Sequence, residues 1–242
     1  MPAAVPATGG FLGPFIHAGW FAQTIIALLV LMSIATWAVI IRKARVLRRA
    51  TRQTRQFLNV FGYRTRLGDY ERVAQELKYS PLSSLLLAGV KEWKALTGEF
   101  RGSEGGAELL QQLIPNIAEA MERAGSREAD NLESSMPFLS VTTMVAPFLG
   151  LLGTVQGVLS TFLGLRGTQI PTLQSIAPGI SDALVTTVMG LVVAIPAAFF
   201  YNYFVGRVRN VQSEMDRFAS ELTGILRREI VSSQLEDRQS KS

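Results

Sequence analysis

Two stretches decide the fold: PFLSVTTMVAPFLGLLGTVQGVLSTF, residues 137–162, and SIAPGISDALVTTVMGLVVAIPAAFFYN, residues 175–202. No charged residue lies between Ser134 and Leu165. Between Arg166 and Arg207 the only charge is Asp182. At about 1.5 Å per residue, helices near 138–162 and 180–204 exceed a ~30 Å hydrocarbon layer. Both read as membrane spans. A third precedes them. Met1 to Ile41 carries no Lys, Arg, Asp or Glu, and WFAQTIIALLVLMSIATWAVII, residues 20–41, covers about 33 Å as a helix. A secretory signal is the competing reading. It fails because no basic region precedes the apolar run, the run is too long, and a basic cluster follows it.

That cluster is Arg42, Lys43, Arg45, Arg48, Arg49, Arg52 and Arg55. With no basic residue before the first span, the positive-inside rule puts the N-terminus outside and residue 42 onward in the cytoplasm. Arg166 alone in the outer loop, against Arg207 and Arg209 after the third span, agrees. The net charge of +5 therefore reads as a topology signal, and nucleic-acid binding is not expected, since no base-stacking aromatics accompany the arginines.

Composition narrows the chemistry. The 242 residues are 48% hydrophobic and 18% charged, with a mean hydropathy of +0.24, against about 25% charge in soluble domains. Cys is absent, which excludes disulfides, thiolate metal sites and Cys nucleophiles. The single His17 excludes multi-His metal sites; just outside the first span, it reads as solvated or interfacial. No GxxxxGK[ST], HExxH or GxSxG pattern occurs. No enzyme activity, cofactor or metal is expected.

Between the first two spans the pattern is helical. Leu109, Leu113, Ile117, Met121 and Ala124 recur at three or four. Breaks fall at Tyr79–Pro81 and at Gly98, Gly102, Gly105 and Gly106. Helices are expected over roughly 42–61, 69–78, 82–97 and 104–134, the last continuing into the second span. In the tail, Val208, Val211, Met215, Phe218, Leu222 and Ile225 form a 3-4-3-4 seam. It packs either between subunits or within its own chain.

Small residues line both stretches. Gly150, Gly153, Thr154, Gly157, Thr161 and Gly164 share one face, and Ala183, Thr187, Gly190, Ala194 and Ala197 share another. In lipid, small residues let helix backbones approach closely, so Gly150, Gly153, Gly157 and Gly190 read first as helix-packing positions. Thr154 and Thr187 either satisfy themselves on helix carbonyls or line a water path. Asp182 is the only acid between Glu133 and Glu214. A carboxylate at bilayer depth costs roughly 2.5–3.5 kcal/mol on insertion scales and marks a function by default. Two placements are open: near a helix start, favoured by the dipole, or within the membrane after a helix beginning nearer Pro178. Thr186, four residues on, lies closer to its face than Thr187. Trp20 and Trp37 read as interfacial anchors, and Pro147 and Pro196 as kink sites that serve either gating or packing.

These two stretches, with GLLGTVQG and APGISDAL…GLVVAIPA inside them and TWAVIIRKARVL in the first span, resemble the TolQ/ExbB/MotA proton-channel family. NLESSMPFL and ELTGILRRE are more similar to its TolQ branch. The resemblance implies a bacterial inner-membrane homopentamer of three-span subunits around a central pore. It implies a TolR/ExbD-like small membrane protein inside that pore, a TolA/TonB-like periplasm-spanning protein that receives the motion, and contact with membrane lipids. Thr154 and Thr187 then match pore-lining threonines. Asp182 matches a position usually held by Glu, a departure in side-chain length. The expected plan is all-α: a periplasmic segment 1–19, spans 20–41, 135–165 and 178–206, a cytoplasmic helical domain 42–134, a periplasmic loop 166–177 and a cytoplasmic tail 207–242.

Overall fold

The computed structural model describes residues 20–61, 67–100, 106–166 and 172–240. His17, residues 167–171 of the outer loop, and Gly102 and Gly105 lie outside them. The described residues form six helices and no strand: α1 (Trp20–Phe61), α2 (Leu67–Glu76), α3 (Pro81–Phe100), α4 (Gly106–Glu133), α5 (Met136–Gly164) and α6 (Leu173–Ser240). Among them, three stretches are long and apolar enough to cross a membrane: within α1, α5 and α6. Their outer surfaces show why. Leu31, Met144, Phe148, Ile195 and Phe199 are each more than 60% exposed, large apolar side chains whose combined exposure water does not tolerate.

The chain divides into two compact units. One holds Met1–Arg42 with Ser135–Tyr203; the other holds Lys43–Ser134 with Phe204–Ser242. In the first, Ile25 and Leu29 of α1 pack with Ala146 of α5 and with Val193 and Ala194 of α6. In the second, all the helices that enter it converge on Phe57, Phe61, Tyr70, Leu86, Met121 and Phe218. Phe218 meets Phe61 at 4.9 Å and Phe57 at 5.4 Å, both edge to face, an arrangement aromatic quadrupoles favour. Tyr70 reaches this core because its hydroxyl donates to the Phe61 carbonyl at 2.9 Å.

The tail seam resolves the alternative left by its spacing. Val208, Val211, Met215, Phe218 and Leu222 are buried, and Met215, Phe218 and Leu222 belong to the core of their unit, so the seam packs within the chain. Its last position differs: Leu226 is buried, and Ile225 is only partly so. From Leu222 the repeat takes a step of four, which keeps it nearer the core side of a helix turning every 3.6 residues.

Helix α4 was expected to run on into the second span, but it stops at Ser134–Ser135. Ser135 adopts φ 68°, the left-handed region, and α5 starts at Met136. Pro137 explains the interruption: its ring would meet the carbonyl four residues earlier, on Glu133, and it offers no N–H. Cations of α1 satisfy the broken turn. Lys43 donates to the Ser134 carbonyl at 2.5 Å, and Arg42 donates to the Ser135 hydroxyl.

Phe218→Ala should destabilise the protein by about 3–5 kcal/mol, as expected for a fully buried aromatic, whereas Ile225→Ala should cost clearly less. Thermal unfolding of both variants in mild detergent checks the order.

Candidate functional site

Helix α6 begins at Leu173, earlier than either start considered from the sequence. Thr172 and Ser175 cap it reciprocally: the Thr172 N–H donates to the Ser175 hydroxyl at 3.2 Å, and that hydroxyl donates back to the Thr172 carbonyl at 2.7 Å. Asp182 therefore lies about 13.5 Å along the helix from its first residue. The dipole's influence fades within the first turn, so the helix-start explanation for this acid is overturned. Asp182 is half-buried and makes no hydrogen bond or ion pair with any described residue.

Antiparallel to α6, α5 brings its small residues against it. A Cβ built on Gly150 would stand 2.8 Å from the Thr186 carbonyl oxygen and 3.0 Å from the Thr187 Cα. One on Gly190 would stand 2.5 Å from the Ala146 carbonyl oxygen. These are backbone atoms and cannot swing away. At Gly153 the obstacle is the Thr186 side chain, and at Gly157 the Ala183 Cβ at 2.7 Å. Gly164, the last glycine of the ridge, has nothing within 4 Å. Gly179, which the sequence pattern did not single out, closes against Thr161 at the other end of the contact.

Such proximity puts three hydroxyls around one carbonyl. Thr154 and Thr187 Oγ1 are directly hydrogen-bonded. Thr154 reaches the Gly150 carbonyl at 3.2 Å, the Ala183 carbonyl across the interface at 3.0 Å and the Thr186 hydroxyl at 3.3 Å. Thr186 donates to Gly150 at 3.0 Å or to Ala183 at 2.7 Å, and Thr187 donates to Gly150 at 3.3 Å. Each hydroxyl has one proton, so these contacts exceed what can form at one time. The network can rearrange by rotating hydroxyls, with no backbone movement.

The two adjacent threonines are not equivalent. Thr186 is fully buried and Thr187 only partly. On a helix, Thr186 lies about 40° around the axis from Asp182, and Thr187 about 140°. The contacting ridge of α6 therefore runs through Gly179, Ala183, Thr186, Gly190 and Ala197, with Asp182 on one flank and Thr187 on the other. The sequence reading placed Thr187 on that ridge, where Thr186 stands. The structure gathers Thr154, Thr186 and Thr187 with Gly150, Gly153 and Gly190, and leaves Asp182 about 6 Å further along α6 from Thr186, without a bond to any of them.

Two buried hydroxyls of the spans escaped the sequence reading: Thr142 of α5, which donates to the Phe138 carbonyl at 2.8 Å, and Thr36 of α1. Thr36 is buried to 1% exposure and its hydroxyl has no hydrogen-bond partner. A single Thr in an apolar span carries no signal of this. Pro147 and Pro196 lie inside helices that continue through them. Among the described residues no group of three or more His, Asp or Glu could hold a metal.

The family model described as the MotA/TolQ/ExbB proton channel family matches residues 80–217. The Tol-Pal system protein TolQ of Haemophilus influenzae is 34% identical over 221 residues, covering 90% of this chain and 94% of its own. Its counterpart from Pseudomonas aeruginosa is 32% identical over 220 residues, covering 88% and 91%. The biopolymer transport protein ExbB of Pseudomonas putida is 28% identical over 218 residues, covering 90% of this chain and 64% of its own.

Gly150→Ala and Gly190→Ala should each destabilise the α5–α6 contact by about 1–3 kcal/mol, the usual range for overpacking. Gly164→Ala should stay within about 0.5 kcal/mol. Thermal stability in detergent separates the two classes.

Proposed function

Because this chain belongs to the MotA/TolQ/ExbB proton channel family, we propose that it is the three-span subunit of a TolQ–TolR-like motor in the bacterial inner membrane. The reading is supported foremost by similarity to two TolQ proteins along nearly the whole chain. In it, five copies surround a central pore holding the transmembrane helices of a TolR/ExbD-like protein. The N-terminus is periplasmic and the C-terminus cytoplasmic. Motion driven by protons passes to a TolA-like protein spanning the periplasm and serves outer-membrane integrity and cell division.

Asp182 accepts and releases the proton. It carries the sole charge of its span and bonds no described residue, so in lipid a proton or a partner's group neutralises it. Thr154, Thr186 and Thr187 offer exchangeable hydroxyls beside it, and Gly150, Gly153, Gly157 and Gly190 keep the two helices close enough for that network. One carboxylate per subunit with no His or Lys relay is a short path, so the helices in the pore supply a second acid. A membrane potential of about 100 mV provides roughly 2.3 kcal/mol per proton; work on a distant envelope layer therefore draws on several protons.

The similarity to ExbB favours a second reading, in which the same machine energises TonB-dependent transport across the outer membrane. A Pal-like or TolB-like protein encoded nearby supports the first reading, and a siderophore receptor the second.

Asp182→Asn and Thr154→Ala should each bring complementation of a tolQ deletion down to background, scored as detergent sensitivity of the envelope, while the oligomer keeps its mass in detergent. Proton flux in reconstituted vesicles should fall with them. Wild-type envelope function in both variants would instead mean a scaffold that assembles helices without conducting.

A further inference from the structure

Helix α1 contains no Asp or Glu over its 42 residues, yet five arginines follow its span on one side. At 100° per residue, Arg45, Arg48, Arg49, Arg52 and Arg55 fall within an arc of about 120°. The opposite side carries Lys43, Leu47, Ala50, Thr54, Phe57 and Phe61, all buried. All five arginines are exposed, and Arg45, Arg48, Arg52 and Arg55 make no hydrogen bond or ion pair with any described residue. Arg49 lies over the exposed ring of Tyr79, 5.8 Å from its centroid. Continued upward, the same arc meets Ile41, Trp37, Ile34 and Leu31, exposed by 46%, 48%, 63% and 64%. One side of one helix therefore carries an apolar strip that ends in unpaired guanidinium groups.

We propose that this strip holds anionic phospholipids of the adjacent leaflet, acyl chains against Leu31, Ile34 and Trp37, and phosphates against Arg45, Arg48 and Arg49. The proposal rests on the membrane placement argued above. Depth selects the arginines. Counted from Ile41, Arg45 is about 6 Å down the helix, Arg48 and Arg49 about 10–12 Å, and Arg52 and Arg55 about 16–21 Å. The headgroup layer is roughly 5–7 Å thick on each side, and an arginine stem extends several ångströms upward to reach it. Arg52 and Arg55 stand clear of it. Guanidinium matches phosphate with two parallel hydrogen bonds, which makes Arg the fitting residue here. A basic group near a charged leaflet shifts the local balance of anionic over neutral lipid about fivefold.

The test uses the purified full chain, with the assembly it forms, in nanodiscs mixing phosphatidylcholine with a minor share of phosphatidylglycerol. Lipids retained after a mild wash are quantified by mass spectrometry. Wild-type protein should retain phosphatidylglycerol at least fivefold above its share of the mixture, and raised salt should reduce that excess. Arg45→Gln with Arg48→Gln and Arg49→Gln should remove it; Arg52→Gln with Arg55→Gln should not. The triple Lys variant, which keeps the charge and so the topology signal, should retain most of it. No excess in wild type, an excess indifferent to salt, or equal loss in both Gln variants overturns the proposal. Phosphatidylglycerol displaced in the wild type by an acidic protein at these arginines overturns it too. Proton flux in vesicles that also hold the small TolR/ExbD-like partner keeps the two readings apart: flux without lipid enrichment sinks only this one, and enrichment without flux sinks only the motor.

Discussion

The close approach of α5 and α6 is the constraint on which the membrane unit depends. In lipid no hydrophobic force drives two helices together, so their contact must come from dispersion and from polar groups with nowhere else to bond. Gly150 and Gly190 supply the first by letting backbone meet backbone, with no room for a Cβ between them. The second follows directly. Only at that separation can Thr154 of one helix reach the Ala183 carbonyl of the other at 3.0 Å. Packing glycines and reactive hydroxyls are thus one feature. Any side chain that parts the helices also breaks the network.

Asp182 gains its meaning from the same geometry by exclusion. Thr186 is engaged by carbonyls of both helices, and Asp182, one turn away, is engaged by no described residue. A membrane carboxylate satisfied internally would be structural. One left open by its described neighbours is what the proposed proton role requires.

The unit built around Phe57, Phe61 and Phe218 holds together differently, by burying large aromatic and aliphatic side chains in one core. Its helices spend their apolar faces on one another, and the tail seam is used up inside the chain. The arginine side of α1 faces away from the core of its own helix, with no acid on that helix to neutralise it, and this asymmetry gives the segment an outward-looking role.

Much of this was legible in the chain itself. Three apolar stretches of spanning length, a basic cluster behind the first and one lone acid require no knowledge of packing, because hydrocarbon thickness and the cost of charge in it are properties of the solvent. Boundaries were less legible. The break at Ser134–Ser135 came from Pro137 acting on the residue four before it, and the early start of α6 came from a Thr172–Ser175 cap outside the apolar run. Adjacent Thr186 and Thr187 show the limit most clearly. Sequence spacing accommodates either on the ridge, since a period of 3.6 falls between steps of three and four. The chain alone determined that hydroxyls, glycines and one acid would share the membrane, because composition and period settle that. Which threonine is buried, which carbonyls it binds and that Asp182 bonds no described residue were decided only by the tertiary structure, because each depends on where a second helix places its backbone to within an ångström.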